Sequence, residues 1–350
     1  MAHQLENMAY VGKTPWHGLG NQLSPHQPIE VWAQQAGMDW QIESSNVSYI
    51  AENQHKQRII MPHDEQRVLY RSDTHATLSV VSQRYQEVQP KEILEFYRDL
   101  TEQSGFELET AGILKGGKKF WALARIGQTS VLKGKDVSNG YILLATACDG
   151  MLATTAQFTS IRVVCNNTLA IALKGQNSSA GAVKVPHSTK FDAEKVKQQL
   201  GISVKAWDEH MYEMKQLSQR KVTQQEAVAY FDAVFNNSTL SNTEQDEGII
   251  QYYRNVATQT APHQSNKAEH KTEPNGRAMS KVMTMFNGHG RGAELSSAKD
   301  TAYGLLCSIT EFSDHERRAM SQDHRLDSSW FGTGAGLKQR GLEQALSMLA

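Results

Sequence analysis

Residues 106–126, F-E-L-E-T-A-G-I-L-K-G-G-K-K-F-W-A-L-A-R-I, set the architecture of this 350-residue chain. Residues 106–114 and 118–126 read as two strands. The K-G-G-K between them offers glycines for the positive φ of a tight reversal. The pair is predicted as an antiparallel hairpin. A second pair, residues 140–148 and 152–165, flanks C-D-G-M, whose Asp-Gly step is a hairpin signal. Upstream, N-V-S-Y-I, Q-R-I-I-M-P, R-V-L-Y-R and A-T-L-S-V-V-S are spaced like meandering strands between residues 46 and 88.

Helices surround these strands. A short one is predicted at 29–36, and another at 90–105, where Pro90 suits the first turn and Ile93, Leu94, Tyr97 and Leu100 share one face. Residues 160–169, S-I-R-V-V-C-N-N-T-L, read as a strand stopped by asparagines. Asn166 or Asn167 is expected to cap a helix over 168–174 that ends at Gly175. Further helices are expected at 192–217, 223–235 (Thr223 and Glu226 forming a capping box), 278–286, 297–318 and 338–349. The class is α+β: an antiparallel, hairpin-built, twisted sheet packed on helices, followed by a mainly helical C-terminal region. The expected organisation is a core domain 1–175 with a basic hairpin region 112–174, a helical region 176–257, a flexible linker 258–276 almost devoid of apolar residues, and a helical region 277–350.

Bulk properties narrow the function classes. Apolar residues make up 39% and charged residues 21%, ordinary for a soluble globular protein. No apolar run is long enough to span a bilayer, and the first residues lack a signal-peptide pattern. The three cysteines, Cys148, Cys165 and Cys307, have apolar neighbours and no metal-ligand spacing, which suits buried thiols in a cytoplasmic protein. The net charge of −1 hides an asymmetry. Residues 1–111 carry 8 Lys/Arg against 15 Asp/Glu, whereas residues 112–174 carry 8 against 2, a balance of +6. Such a block is either a footprint for a polyanion or a surface neutralised by the acidic N-terminal region.

Motifs for chemistry are sparse. Thirteen histidines occur without H-E-x-x-H, C-x-x-C or a nucleophile elbow, and no cofactor, metal or catalytic residue is expected. His17, in T-P-W-H-G-L-G, reads first as a turn-locking hydrogen bonder. Asp314 and His315, with His289 or His324, could converge on a metal, but read first as solvated polar residues. The basic hairpin is the stronger signal. Lys115, Lys118, Lys119, Arg125, Lys133 and Lys135 surround it, and Lys119, Trp121, Leu123 and Arg125 share one strand face. Such a face holds phosphates on its cations while a base stacks on Trp121; otherwise Trp121 and Leu123 are core. Arg162, inside an apolar strand, requires a ligand or an ion pair, with Asp149 as a candidate partner.

T-P-W-H-G-L-G, S-I-R-V-V-C-N-N-T-L and T-A-Y-G-L-L-C-S-I-T-E-F-S-D-H (301–315), with the closing W-F-G-T-G-A-G-L-K-Q-R, resemble the phage/plasmid-like proteins of the domain-of-unknown-function 932 family over nearly the whole chain. That resemblance implies a mobile-element setting and no defined activity. The element order is also remotely similar to the single-strand annealing fold, which implies DNA in a basic groove. The expected function is therefore single-stranded DNA binding in annealing or recombination, as a homo-oligomer. Lys115, Lys118, Lys119, Trp121, Arg125, Lys133 and Arg162 are the expected contacts. The alternatives are a non-catalytic protein that modulates a host or plasmid factor, and an enzyme with a site near His17, Asp314 and His315.

Overall fold

A computed structural model of the chain describes residues 5–12, 20–104, 106–164, 167–170, 182–200, 204–236 and 276–349. The 106–126 hairpin is its centre. Strands β6 (Glu107–Leu114) and β7 (Lys119–Leu132) pair antiparallel with Gly112 opposite Trp121. At the turn, Gly117 has φ +91°, and a Cβ there would lie 2.9 Å from the Trp40 ring. Only glycine satisfies both constraints.

Strand β7 runs six residues further than expected and turns at Lys133–Lys135 directly into β8 (Asp136–Ala147). β9 (Thr154–Arg162) pairs on its far side. The two expected hairpins are thus one four-stranded meander, because the alternation of T-S-V-L and V-S-N carries the pairing past Gly127. β1 (Leu5–Val11) extends the sheet antiparallel to β6, and β2 (Asn21–Leu23) lies parallel to β1. On the opposite edge, β10 (Asn167–Ala170) and β11 (Ala182–Val185) pair with successive halves of β9.

β10 corrects one expectation. Residues 167–170 are a strand, not the start of a helix capped by Asn166 or Asn167. T-L-A-I satisfies both strand and helix periods, and the open edge of β9 decides between them. Asn166 and residues 171–175 lie outside the described residues.

α1 (Ile29–Gln35) and α2 (Pro90–Ser104) cover one sheet face, where Ile93, Leu94, Phe96 and Tyr97 meet Phe120, Ala122, Ile142 and Leu144. The Tyr97 hydroxyl lies 2.9 and 3.0 Å from the carbonyls of Ala122 and Ile142, which pins α2 across β7 and β8. A second sheet, β3 (Ile42–Glu52), β4 (Arg58–Arg71) and β5 (Thr77–Ser82), forms a separate antiparallel meander.

The remaining helices are α3 (Ala193–Leu200), α4 (Val204–Gln219), α5 (Gln224–Asn236), α6 (Gly276–Thr284), α7 (Ala302–Glu311), α8 (Gln322–Phe331) and α9 (Thr333–Ser347). The Thr223–Glu226 capping box starts α5: Glu226 N–H donates to Thr223 Oγ1 (3.2 Å) and Thr223 N–H to the Glu226 carboxylate (2.7 Å). Tyr230, Phe231, Leu305, Ile309, Leu337 and Leu342 continue the α1–α2 core without a break. Sheets with antiparallel strands followed by a mainly helical C-terminal region make the protein α+β. Among the described residues, no helix is long and apolar enough to cross a membrane.

Candidate functional site

The shared face of β7 exists, but a helix covers it. Trp121, Leu123, Tyr141, Leu143 and Met8 form a small core with Leu326, bordered by Trp330 and Phe331 of α8. Trp121 is 2% exposed and meets Trp330 edge-to-face at 4.8 Å and 87°. No open ring face remains there for a nucleobase. Asp327, on the same α8 face, accepts from Lys115 Nζ (2.7 Å) and from the buried Lys119. Burial opposes ionisation of Asp327, yet hydrogen bonds from Lys115 and Lys119 outweigh it and hold the carboxyl below its usual range.

α8 was missed in the sequence, although its signals are present. Ser321 accepts from His324 N–H (3.1 Å) as an N-cap, and Leu326 and Trp330 are four residues apart. Arg125, at the end of the same β7 face, is half-buried and donates to Thr129 Oγ1 (3.2 Å) and Asn139 Oδ1 (3.3 Å). Lys118, opposite in parity, is half-buried at the β6–β7 turn.

Arg162 is an interior residue, and its partner is Asp136, not Asp149. The β8–β9 register sets Arg162 opposite Ser138, so Asp136 is its diagonal neighbour on the same face. Asp149 follows the other end of β8. Arg162 is 5% exposed and Asp136 fully buried, and two 2.8 Å bonds join them side by side. Arg162 also donates to the carbonyls of Arg291 (3.3 Å) and Gly292 (3.0 Å) and lies 5.5 Å from the Tyr303 ring centre. Ser297 Oγ donates to Asp136. Gly292 allows this approach: at φ +69°, a Cβ there would come within 2.7 Å of Val164 and 3.0 Å of Arg162 Nη2. A guanidinium so enclosed braces the 291–297 loop against the sheet edge.

Asp314 is the hub of a second buried network. Its carboxylate accepts from Lys338 Nζ (2.7 Å), from Thr168 N–H (2.8 Å) and from Ser329 Oγ. Lys338 donates in addition to Thr168 Oγ1 (2.6 Å) and Ser329 Oγ (3.2 Å). Burial pushes the Lys338 ammonium below its usual value despite the carboxylate beside it. The cleft at this network, between β9–β10 and α8–α9, measures about 40 Å³, room for a few waters. The network ties β10 to α8 and α9. His315 is half-buried and its carbonyl accepts from Arg325 (2.6 Å); His17 lies outside the described residues. Among the described residues, no three of His, Cys, Asp and Glu come together to hold a metal ion.

Lys133, among the expected contacts, is joined to other lysine-bearing segments. Its ammonium donates to the carbonyl of Ser218 at the end of α4, and its carbonyl accepts from Ser296 Oγ (3.2 Å). The next segment is attached by Lys221 Nζ on the Lys299 carbonyl (2.9 Å) and by a bridge pairing Lys221 with Thr301. These contacts join three chain segments that carry the exposed lysines Lys133 and Lys135, Lys215 and Lys221, and Lys299. Asp300 and Glu294 are the exposed acids nearby in sequence.

The family model described as a domain of unknown function, DUF932, matches residues 77–256 and 249–330. No curated protein matches the chain, and no solved structure does.

Proposed function

The chain belongs to the DUF932 family, and we propose that it binds single-stranded DNA without chemistry of its own, assisting annealing or recombination as a homo-oligomer. The observation that carries this reading is that three chain segments bearing exposed lysines, Lys133 and Lys135, Lys215 and Lys221, and Lys299, are joined by direct contacts. Phosphate contacts lie there, and Arg162 acts from beneath. It clamps the 291–297 loop, which leads directly to Lys299, and so holds the cationic surface in shape. With Trp121 enclosed, binding is dominated by phosphate, tolerant of sequence and strongly dependent on salt.

The test is fluorescence anisotropy with a labelled oligonucleotide at several salt concentrations. If four phosphates are neutralised, the slope of log K against log salt is about −3. Replacing Lys215, Lys221 and Lys299 together with Gln reduces that slope by about 2 and weakens binding equally for unrelated sequences. Binding that is absent, or unchanged in the triple variant, removes the proposal.

A further inference from the structure

Beyond the third strand of the second sheet, β3 and β4 continue alone. β5 pairs only with residues 66–70 of β4, whereas β3 and β4 stay paired out to Glu52 opposite Arg58. The projecting ribbon carries a concentration of exposed apolar side chains: Tyr49 (53%), Ile50 (67%), Ile60 (76%), Ile59 and Met61. Val47, Tyr49, Ala51, Ile59 and Met61 lie on one face, and Ile50 and Ile60 are cross-strand neighbours on the other. A two-stranded ribbon is marginal in water, and one with apolar residues on both faces calls for a partner.

The ladder shows which edge is open. At the tip, Asn53 N–H donates to the Gln57 carbonyl (3.0 Å), so Asn53 and Gln57 form a hydrogen-bonded pair. By alternation, Ala51, Tyr49 and Val47 turn their backbone polar groups toward β4, while Ser48, Ile50 and Glu52 turn theirs outward. The same phase makes Pro62, opposite Ser48, an outward-facing position of β4. Proline has no N–H to offer there, so the β4 edge is blunted. The β3 edge has no such block, and among the described residues no strand pairs with it.

We propose that the β3 edge pairs antiparallel with β3 of a second copy of this chain, about a two-fold axis at Tyr49. The edge is complementary to itself. Outward-facing Ser48 meets Ile50 of the second copy and Ile50 meets Ser48, the hydrogen-bonded pairs. Tyr49 meets Tyr49, and Val47 meets Ala51, which joins the two apolar faces. Glu52 falls opposite Asn46, so no like charges confront each other. This inference rests on the homo-oligomer element of the proposed function and supplies its contact.

The experiment is sedimentation of the full chain without DNA, at micromolar concentration and high salt. Wild type is expected to have twice the mass of one chain. Ile50→Pro removes an N–H that points away from β4 and leaves the internal ladder whole, so this variant should sediment as one chain with an unchanged circular dichroism spectrum. Ile50→Lys, which keeps the N–H and places an ammonium at the contact, should raise the dissociation constant at least tenfold. A wild-type chain that is monomeric at 100 µM, or variants that both keep the doubled mass, overturns the proposal. DNA affinity of the monomeric variants is read separately by anisotropy, so a failed dimer and a failed DNA contact are told apart.

Discussion

Asp136 and Arg162 are both buried, and each is tolerated because of the other. Removing one leaves an uncompensated charge, which costs far more than the pair contributes. Asp136→Ala is therefore expected to lower unfolding stability by about 3–5 kcal/mol, as measured by urea denaturation at pH 7; a loss under about 1 kcal/mol would show that the guanidinium reaches water. His210 is a second interior residue that no sequence motif marks. It lies on α4, 3.1 Å from Ser160 Oγ, and burial holds its imidazole down to about 4. The unfolded chain binds a proton near its ordinary value of 6.5, and the folded one does not until about 4. Stability therefore falls as pH drops from about 6.5 to 4, by roughly 3 kcal/mol if His210 acts alone. In His210→Gln that part of the pH dependence should disappear from denaturation curves at pH 7, 6, 5 and 4.5.

At the scale of elements, α8 decides what β7 can do. Parity along β7 was legible: Lys119, Trp121, Leu123 and Arg125 do share a face, because strand side chains alternate whatever lies around them. The cover was not legible, since Asp327 and Trp330 stand about two hundred residues away in the chain. Asp327→Ala strips the counter-charge from buried Lys119. Amides of residues 322–331 should then exchange with solvent faster, and tryptophan emission should shift to the red as Trp121 and Trp330 separate. Unchanged exchange in that segment would mean that apolar packing alone holds α8. Acid should act similarly, because the Asp327 carboxyl is held below its usual range. Its contribution is present at neutral pH and lost as pH falls below about 4 through that lowered value. The strand at 167–170 illustrates the same limit: its residues fit either period, and only the neighbouring edge of β9 selects one.

Across the whole molecule, the +6 block is divided by folding. Lys115 and Lys119 share the carboxylate of Asp327 from the last quarter of the chain, and Arg162 pairs with Asp136 within the block itself. The turn that carries Lys133 and Lys135 is joined to the end of α4 and to the loop before α7, segments that carry Lys215, Lys221 and Lys299. Reversing two of these, Lys221→Glu with Lys299→Glu, should weaken oligonucleotide binding at low salt by more than tenfold and leave the melting temperature within a few degrees, since both side chains are exposed. The sequence by itself determined the central hairpin strands and their K-G-G-K and C-D-G-M turns, the capping box of α5, the family and the α+β class. Each rests on periodicity or on residues a few positions apart, where backbone geometry dictates the outcome. The tertiary structure alone decided which face of β7 is covered, which carboxylate answers Arg162, how the charge of the basic block is divided and which edge of the projecting ribbon is open. Those depend on charges and strand edges that meet only after the chain has folded, and no local pattern encodes the distance between them.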